Sequence, residues 1–98
     1  MFVNIIKSYR DVVAVCDSDI LGKKFEEGNF QLDVKENFYG GDEFSKEEAA
    51  VVIGRMIRED ATFNIVGEES VELAKKLGIV KDEGVKKIQG VPFAMVFL

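Results

Sequence analysis

The sequence contains no histidine and no tryptophan, and it has one cysteine and one proline among 98 residues. Without histidine, zinc sites with imidazole ligands, Cys–His nucleophiles and Ser–His–Asp triads are excluded. The lone Cys16 can form neither an internal disulfide nor a Cys-x-x-Cys redox pair. The most common catalytic and metal-binding arrangements are therefore excluded.

Nucleotide-binding and membrane-spanning patterns are also missing. Neither G-x-G-x-x-G nor a Walker-type glycine–lysine loop occurs, so the usual phosphate cradles are not encoded. No apolar run approaches the roughly 18 residues of a membrane-spanning helix, and the first residues lack the basic start and long apolar core of a signal peptide. We therefore predict a cytoplasmic protein with no membrane contact, no metal and no cofactor.

Acidic residues outnumber basic ones, which gives a formal net charge of −5. This balance argues against a protein that binds nucleic acid by neutralising phosphates. The charge is uneven, however: residues 33–48 hold six acids, whereas residues 75–87 hold five lysines, from Lys75 to Lys87. A local basic surface therefore remains a candidate site for RNA.

At 98 residues, 47% hydrophobic and 32% charged, the chain has the size and composition of one packed globule. It contains no internal repeat, low-complexity tract or Gly/Ser/Pro linker. We predict a single domain over residues 1–98.

Five segments have the β-branched or alternating pattern of strands. They are FVNIIKS (2–8), VVAVCD (12–17), NFQLDV (29–34), VKKIQ (85–89) and VPFAMVFL (91–98). The first two read as a hairpin, and in the third the alternation predicts that Phe30, Leu32 and Val34 share one face. Pro92 cannot donate to a ladder, so it is predicted at a strand start or edge.

Two helices are predicted between these strands. Ser45 and Glu48 have the spacing of a capping box, and apolar residues then recur at helical intervals to Asp60. A second helix runs from Glu68 to about Leu77 and ends at Gly78. SDILG (18–22) is consistent with a short helical turn capped by Ser18. The predicted fold is α+β, a mainly antiparallel sheet packed against two helices in the order β-β-(short α)-β-α-α-β-β.

Cys16 and Asp17, at the end of the second strand, form the first candidate site. A nucleophilic thiol needs a lowered pKa, and an adjacent carboxylate tends to raise it. Cys16 is therefore kept as a candidate reactive thiol, with a buried core cysteine as the alternative. Asp17 is a candidate binding residue or a cap of the following turn.

Asn64, Gly67 and Glu68 mark the second candidate site, at the start of the second helix. Backbone N–H groups at a helix start can bind an anion. Glu68 and Glu69 would repel a phosphate there, so a cationic or amide-bearing ligand suits the site better. The alternative is that the acids and Asn64 only cap the local backbone.

The stretch ENFYGGDEFSKEEA (36–49) contains the third candidate site, Tyr39, Gly40 and Gly41. The glycines allow a tight loop with approachable N–H groups. Phe38 is predicted to anchor this loop on the core, while the polar tip of Tyr39 reaches solvent or a partner. We further predict that this loop converges with Asp17 and the segment 64–68 on one concave surface, because all three lie at ends of core elements.

Several motifs together resemble a family of small archaeal proteins described only as a domain of unknown function. They are VCD (15–17), GK (22–23), FYGG (38–41), NIVGE (64–68) and GVP (90–92). The resemblance covers nearly the whole chain and implies an archaeal cytoplasmic protein with no assigned activity. The family pattern often carries a histidine directly after GVP, where this sequence has Phe93, so imidazole chemistry is not implied for this chain.

Three functional hypotheses follow. The leading one is a non-catalytic module that binds an unidentified small ligand or protein partner. The second is a small enzyme that uses Cys16 with Asp17 or Glu68 as acid or base. The third is an accessory of the translation machinery that binds RNA or a ribosomal partner through the lysines of 75–87. The apolar C-terminal segment 91–98 is predicted either to be a central strand or to pair with a second copy in a homodimer.

Overall fold

The computed structural model describes residues 1–97. Its eight strands are β1 (Phe2–Ile6), β2 (Val12–Cys16), β3 (Lys24–Glu27), β4 (Phe30–Asp33), β5 (Asp42–Glu43), β6 (Thr62–Val66), β7 (Lys86–Ile88) and β8 (Val91–Phe97). Its three α-helices are α1 (Glu36–Tyr39), α2 (Lys46–Arg58) and α3 (Glu68–Lys76). Short 3-10 turns at Ser18–Ile20 and Asp82–Gly84 complete the described structure.

Six strands form one sheet in the order β5-β1-β2-β6-β8-β7, and β3 pairs with β4 in a separate two-stranded sheet. Every pairing is antiparallel except that of β2 with β6. The mainly antiparallel α+β fold predicted from the sequence is therefore confirmed. Within residues 1–97, no helix is long and apolar enough to cross a membrane.

Helices α2 and α3 pack on one face of the six-stranded sheet. Val13, Val15, Phe63 and Ile65 alternate toward this face, as the twofold period of a strand requires. The opposite face carries a second core in which Ala14, Cys16 and Val66 pack against the β3–β4 hairpin and α1. The central strand β2 is thus buried on both sides, which explains why its sequence is an unbroken apolar run.

Helix α2 begins as its sequence indicates. The backbone N–H of Glu48 donates to Ser45 Oγ at 3.1 Å, and the backbone N–H of Ser45 donates to Glu48 Oε1 at 2.9 Å. The predicted capping box is therefore present. Gly78 follows α3 with a φ of +80°, the left-handed conformation that glycine adopts readily after a helix.

The structure contains elements that the sequence patterns did not indicate. Strand β6 occupies residues assigned above to a connection between two helices, α1 occupies part of the predicted FYGG loop, and β3 pairs with the predicted strand β4. Phe30 lies at the tip of that hairpin with 72% of its surface exposed, whereas Leu32 is buried. The predicted alternation therefore holds along β4 but does not bury its first residue.

The prediction that Ser18 caps the short helical turn is wrong. Asp17 is the residue that precedes this turn, and it makes no side-chain capping bond to it. Instead, Ser18 Oγ accepts a hydrogen bond of 2.6 Å from the amino group of Met1. The hydroxyl thus links the start of β1 to the end of β2 and does not cap the 3-10 turn.

Candidate functional site

A cleft lies where the two parallel strands of the sheet end. β2 and β6 are neighbours that run in the same direction. After β2 the chain passes to the 3-10 turn and the β3–β4 hairpin on one face, whereas after β6 it enters α3 on the other face. Ligand sites of open sheets commonly form at this position, because the diverging chains leave a crevice at the carboxyl ends of the strands.

The cleft has a volume of about 460 Å³ and is open to solvent. It is lined by Asp17, Ser18, Asp19, Ile20, Gly67, Glu68, Glu69, Gly90, Val91 and Pro92. The structure therefore brings together three of the predicted site residues, Asp17, Gly67 and Glu68. Four of the lining side chains are acidic and none is basic.

Asp17 forms the floor of the cleft, and its carboxylate caps helix α3. The backbone N–H and the hydroxyl of Ser70 donate to Asp17 Oδ1 at 2.8 and 2.7 Å, and the backbone N–H of Glu69 donates to Oδ2 at 3.1 Å. Asp17 and Ser70 are both buried. The carboxylate thus satisfies N–H groups that α3 leaves unpaired at its start, although it lies far away in sequence.

Gly67 is required where the backbone of β6 turns into α3. Its φ is +110° and its ψ is 155°, a conformation that residues with a Cβ rarely adopt. A Cβ built there would lie under 3.0 Å from the Asp17 carboxylate. The V-C-D and V-G-E segments are therefore in direct contact. Because Gly67 has no side chain, the Asp17 carboxylate can lie close enough to cap α3.

The rim of the cleft carries Asp19, Glu68 and Glu69, whose side chains are exposed. The opposite wall is the apolar turn into β8, formed by Val91 and Pro92. The positive end of α3, which could have attracted an anion, already holds the Asp17 carboxylate. The electrostatics of the cleft therefore favour a cation beside an apolar group.

Comparison of the sequence with protein-family models identifies the family of this chain. The sequence model of the protein family of unknown function DUF424 matches residues 6–98. The chain belongs to the DUF424 family. No curated protein matches the sequence. An uncharacterized conserved protein from Methanopyrus kandleri has a similar fold, with a TM-score of 0.87 and 24% identity over 98% of this chain and 89% of the other.

The FYGG segment of this DUF424 chain does not line the cleft. Gly41 lies against β1, where a Cβ would come under 3.0 Å from the carbonyl oxygen of Val3. Asn4 Nδ2 donates to the Phe38 carbonyl at 2.7 Å, and β5 then pairs with β1 directly after Gly41. The two glycines thus bring α1 and β5 against the edge of the sheet. The predicted convergence with the FYGG loop is wrong, because this loop serves a different edge.

Tyr39 is buried rather than solvent-facing. Only 8% of its surface is exposed, whereas Phe38, the predicted anchor, is half-buried. Burial, with a smaller contribution from Cys16, raises the pKa of Tyr39 to about 12. Phe38 packs against the same core, as predicted. The predicted exposure of the Tyr39 tip is wrong, because α1 is helical here and turns the ring of Tyr39 onto the sheet.

Gly40 and Asn64 also lie away from the cleft. Gly40 ends α1, where its N–H donates to the Glu36 carbonyl and a Cβ would collide with that oxygen. Asn64 is in the middle of β6, opposite Ala14 on one side and Met95 on the other. It does not stand at the start of a helix as predicted, because β6 continues to Val66.

Cys16 is fully buried beside the cleft floor. Burial first, and then the neighbouring Asp17 charge, raise the pKa of its thiol to about 11. A thiol becomes nucleophilic through its thiolate, and these surroundings oppose ionisation. The geometry therefore supports the alternative given above, a core cysteine.

We predict that Cys16 reacts with iodoacetamide at least about a hundredfold more slowly than a free cysteine at pH 8, because a pKa of about 11 leaves about one thiol in a thousand ionised. Mass spectrometry of time points measures this rate. A Val51→Cys variant places a thiol at an exposed helix position and serves as the reactive control. Rapid labelling of Cys16 in the folded wild type would contradict the prediction.

Of the lysines of the segment 75–87, Lys75 and Lys87 line one cleft together with Lys46, but Glu68, Glu69 and Glu72 line it too. Lys75 pairs with Asp82 at 2.7 Å, a hydrogen bond that raises the pKa of Lys75 and lowers that of Asp82. Lys86 and Lys87 are consecutive residues of β7, so they point to opposite faces. An RNA backbone in this cleft would meet acidic side chains beside the lysines, with Lys86 on the other face of the hairpin; RNA binding by this segment stays a prediction.

Sequence reasoning placed Glu68 and Glu69 at this site, but it did not identify Ser70 as the buried partner of Asp17 or Asp19 as a rim residue. The sequence around these residues gave little indication of a site, because each is an ordinary polar residue of a turn or a helix start. One clue was present: a helix that begins after Gly67 has no side chain of its own to cap it, so a distant acceptor was required.

Proposed function

We propose that the protein is a non-catalytic binding module whose ligand is a small cation carrying an apolar group. The observation that carries this proposal is the cleft at the carboxyl ends of β2 and β6, which is the place where this kind of sheet offers a ligand site. We place the module in the cytoplasm, which the single free cysteine supports. An archaeal origin is supported by the source of the structural neighbour.

The charge of the ligand follows from the lining of the cleft. Asp19, Glu68 and Glu69 surround its mouth, and no lysine or arginine side chain contributes to the lining. An anion would meet these carboxylates and would find the N-terminus of α3 already occupied by Asp17. A primary amine or guanidinium could pair with the rim while its carbon chain contacts Val91 and Pro92.

The enzymatic alternative has less support. A small enzyme using Cys16 needs an ionisable, accessible thiol, whereas this thiol is buried with a pKa of about 11. Asp17 or Glu68 would be its acid or base, yet Asp17 already accepts three hydrogen bonds from α3, and Glu68 is an exposed rim residue whereas Cys16 is buried. Binding without turnover is the function that these environments favour.

The first test is a titration followed by amide NMR, with putrescine and spermidine as cations and acetate and phosphate as matched anions. We expect saturable shifts at the amides of Asp19, Gly67 and Glu69 with the amines only. The double change of Glu68→Gln and Glu69→Gln is expected to weaken amine binding about tenfold, because two exposed ion pairs contribute roughly 0.2–1 kcal/mol each.

The double change of Glu47→Gln and Glu59→Gln is the matched control, because both residues are exposed and neither lines the cleft. It removes two negative charges elsewhere on the surface and should leave amine affinity unchanged. Shifts spread over the whole acidic surface, or an equal loss in this control variant, would show nonspecific attraction and would refute the proposed site.

A further inference from the structure

Part of strand β8 lacks the protection that the edge strands β5 and β7 have. β5 is an edge of two residues, Asp42 and Glu43, and both are acidic. β7, the opposite edge, carries Lys86 and Lys87 in its three residues. Charges and short lengths of this kind keep edges from pairing with other chains. The segment 94–97 of β8 has neither device, since β8 contains no charged residue.

The open part of β8 begins where β7 stops. β7 pairs with β8 only from Val91 to Phe93, whereas β6 pairs with β8 as far as Phe97. The N–H of Gly67 donates to the Pro92 carbonyl, which fixes the alternation of the ladder. Residues 92, 94 and 96 therefore bond toward β6, and the backbone groups of Met95 and Phe97 point toward the open side. Among residues 1–97, no hydrogen bond reaches those groups from that side.

The side chains at this edge are apolar and exposed. Met95 has 61% and Phe97 has 70% of its surface exposed, and both lie on the face opposite α2 and α3. A groove of about 450 Å³ runs beside the edge, between β8 and the segment 79–84 that leads to β7. There is therefore space next to the unpaired backbone groups for another strand.

We propose that β8 pairs antiparallel with β8 of a second copy, around a twofold axis that passes beside Val96. In this register Met95 lies opposite Phe97 of the second copy, and the reverse, so that both open residues of each chain exchange hydrogen bonds. A register centred on Met95 would set Phe97 against Phe93, whose backbone groups already face β7. In the Val96 register, the open backbone groups of Met95 and Phe97 form hydrogen bonds in both copies.

The size of the interface predicts a weak dimer. Each copy contributes two exposed apolar side chains and a four-residue backbone edge, roughly 400–500 Å² if a large side chain supplies on the order of 150 Å². The total of roughly 800–1,000 Å² is at the lower limit for a specific interface. We therefore expect a weak, reversible dimer and not an obligate one.

Sedimentation velocity from 10 µM to 1 mM tests the assembly, and amide NMR over the same range tests the register. We expect a concentration-dependent dimer in which the amides of Met95 and Phe97 gain protection from exchange. The amides of Ala94 and Val96 already face β6 and should change little. Phe97→Lys should weaken association at least tenfold by placing a charge on the edge.

Phe30→Lys is the matched control, because it makes the same replacement at a residue of nearly equal exposure, 72%, on the β3–β4 hairpin. A Val96→Cys variant adds a second readout, since cysteines facing each other across the axis are close enough to form a disulfide-linked dimer. A monomer at 1 mM would overturn the proposal. A dimer that Phe30→Lys disrupts, or one without protection of Met95 and Phe97, would place the interface elsewhere and also overturn it.

Discussion

Replacing Gly67 with alanine is expected to lower the free energy of unfolding by about 3 kcal/mol. The backbone there has a φ of +110°, which costs a residue with a Cβ on the order of 1–3 kcal/mol. The new methyl group would also lie under 3.0 Å from the Asp17 carboxylate and would displace it from α3. Urea unfolding followed by circular dichroism measures the loss.

Gly78→Ala measures what a positive φ costs where no neighbouring atom obstructs the Cβ. Gly78 has a φ of +80°, but a Cβ there would meet nothing within 4 Å. This variant should therefore cost only the backbone strain, about 1 kcal/mol. An equal loss in the two variants would mean that the approach of Asp17 is not the reason for the glycine at position 67.

The parts of this fold that the sequence predicted are those that depend on near neighbours. The capping box joins Ser45 and Glu48, which are three residues apart, and the strands predicted on either side of Gly90 are present as β7 and β8. The apolar run at residues 12–16 indicated a strand, and burial on both faces explains why its pattern does not alternate. Such features need no knowledge of the rest of the chain.

The close contacts between elements at the cleft and at the sheet edge involve residues that are distant in sequence. The α3 groups that Asp17 caps lie 52 and 53 positions later in the sequence, and Gly41 needs its small size because of the carbonyl of Val3. The sequence showed that these residues end elements or turn the chain, but not which element each one meets. For this reason the candidates Asp17 and Gly67 came together, whereas Gly41 served another edge.

Strand β6 was not recognised because its sequence is too short to show a clear strand pattern. TFNIV contains five residues, with Asn64 at its centre, between the end of α2 and Gly67. Its stability comes from ladders to β2 and β8 on both sides, which no local pattern reports. Placing Asn64 in this strand rather than at a helix start removed it from the cleft.

Asp17→Ala is expected to lower the free energy of unfolding by about 3 kcal/mol, more than the loss of an ordinary helix cap. The change leaves two backbone N–H groups and the Ser70 hydroxyl without their acceptor at a buried position. Each buried group without a partner costs on the order of 1–3 kcal/mol, although water entering the vacated space recovers part of this. Urea unfolding monitored by circular dichroism, with constant m-values, measures the effect.

Ser45→Ala on α2 is the matched control, because it removes a cap that is exposed to water. Its cost should be about 1 kcal/mol, since water replaces the lost acceptor. A double-mutant cycle of Asp17→Ala with Ser70→Ala should show a coupling of at least about 1 kcal/mol, because the two side chains share a bond of 2.7 Å. If Asp17→Ala cost no more than Ser45→Ala and showed no coupling to Ser70, the carboxylate would be free to act on a ligand rather than committed to α3.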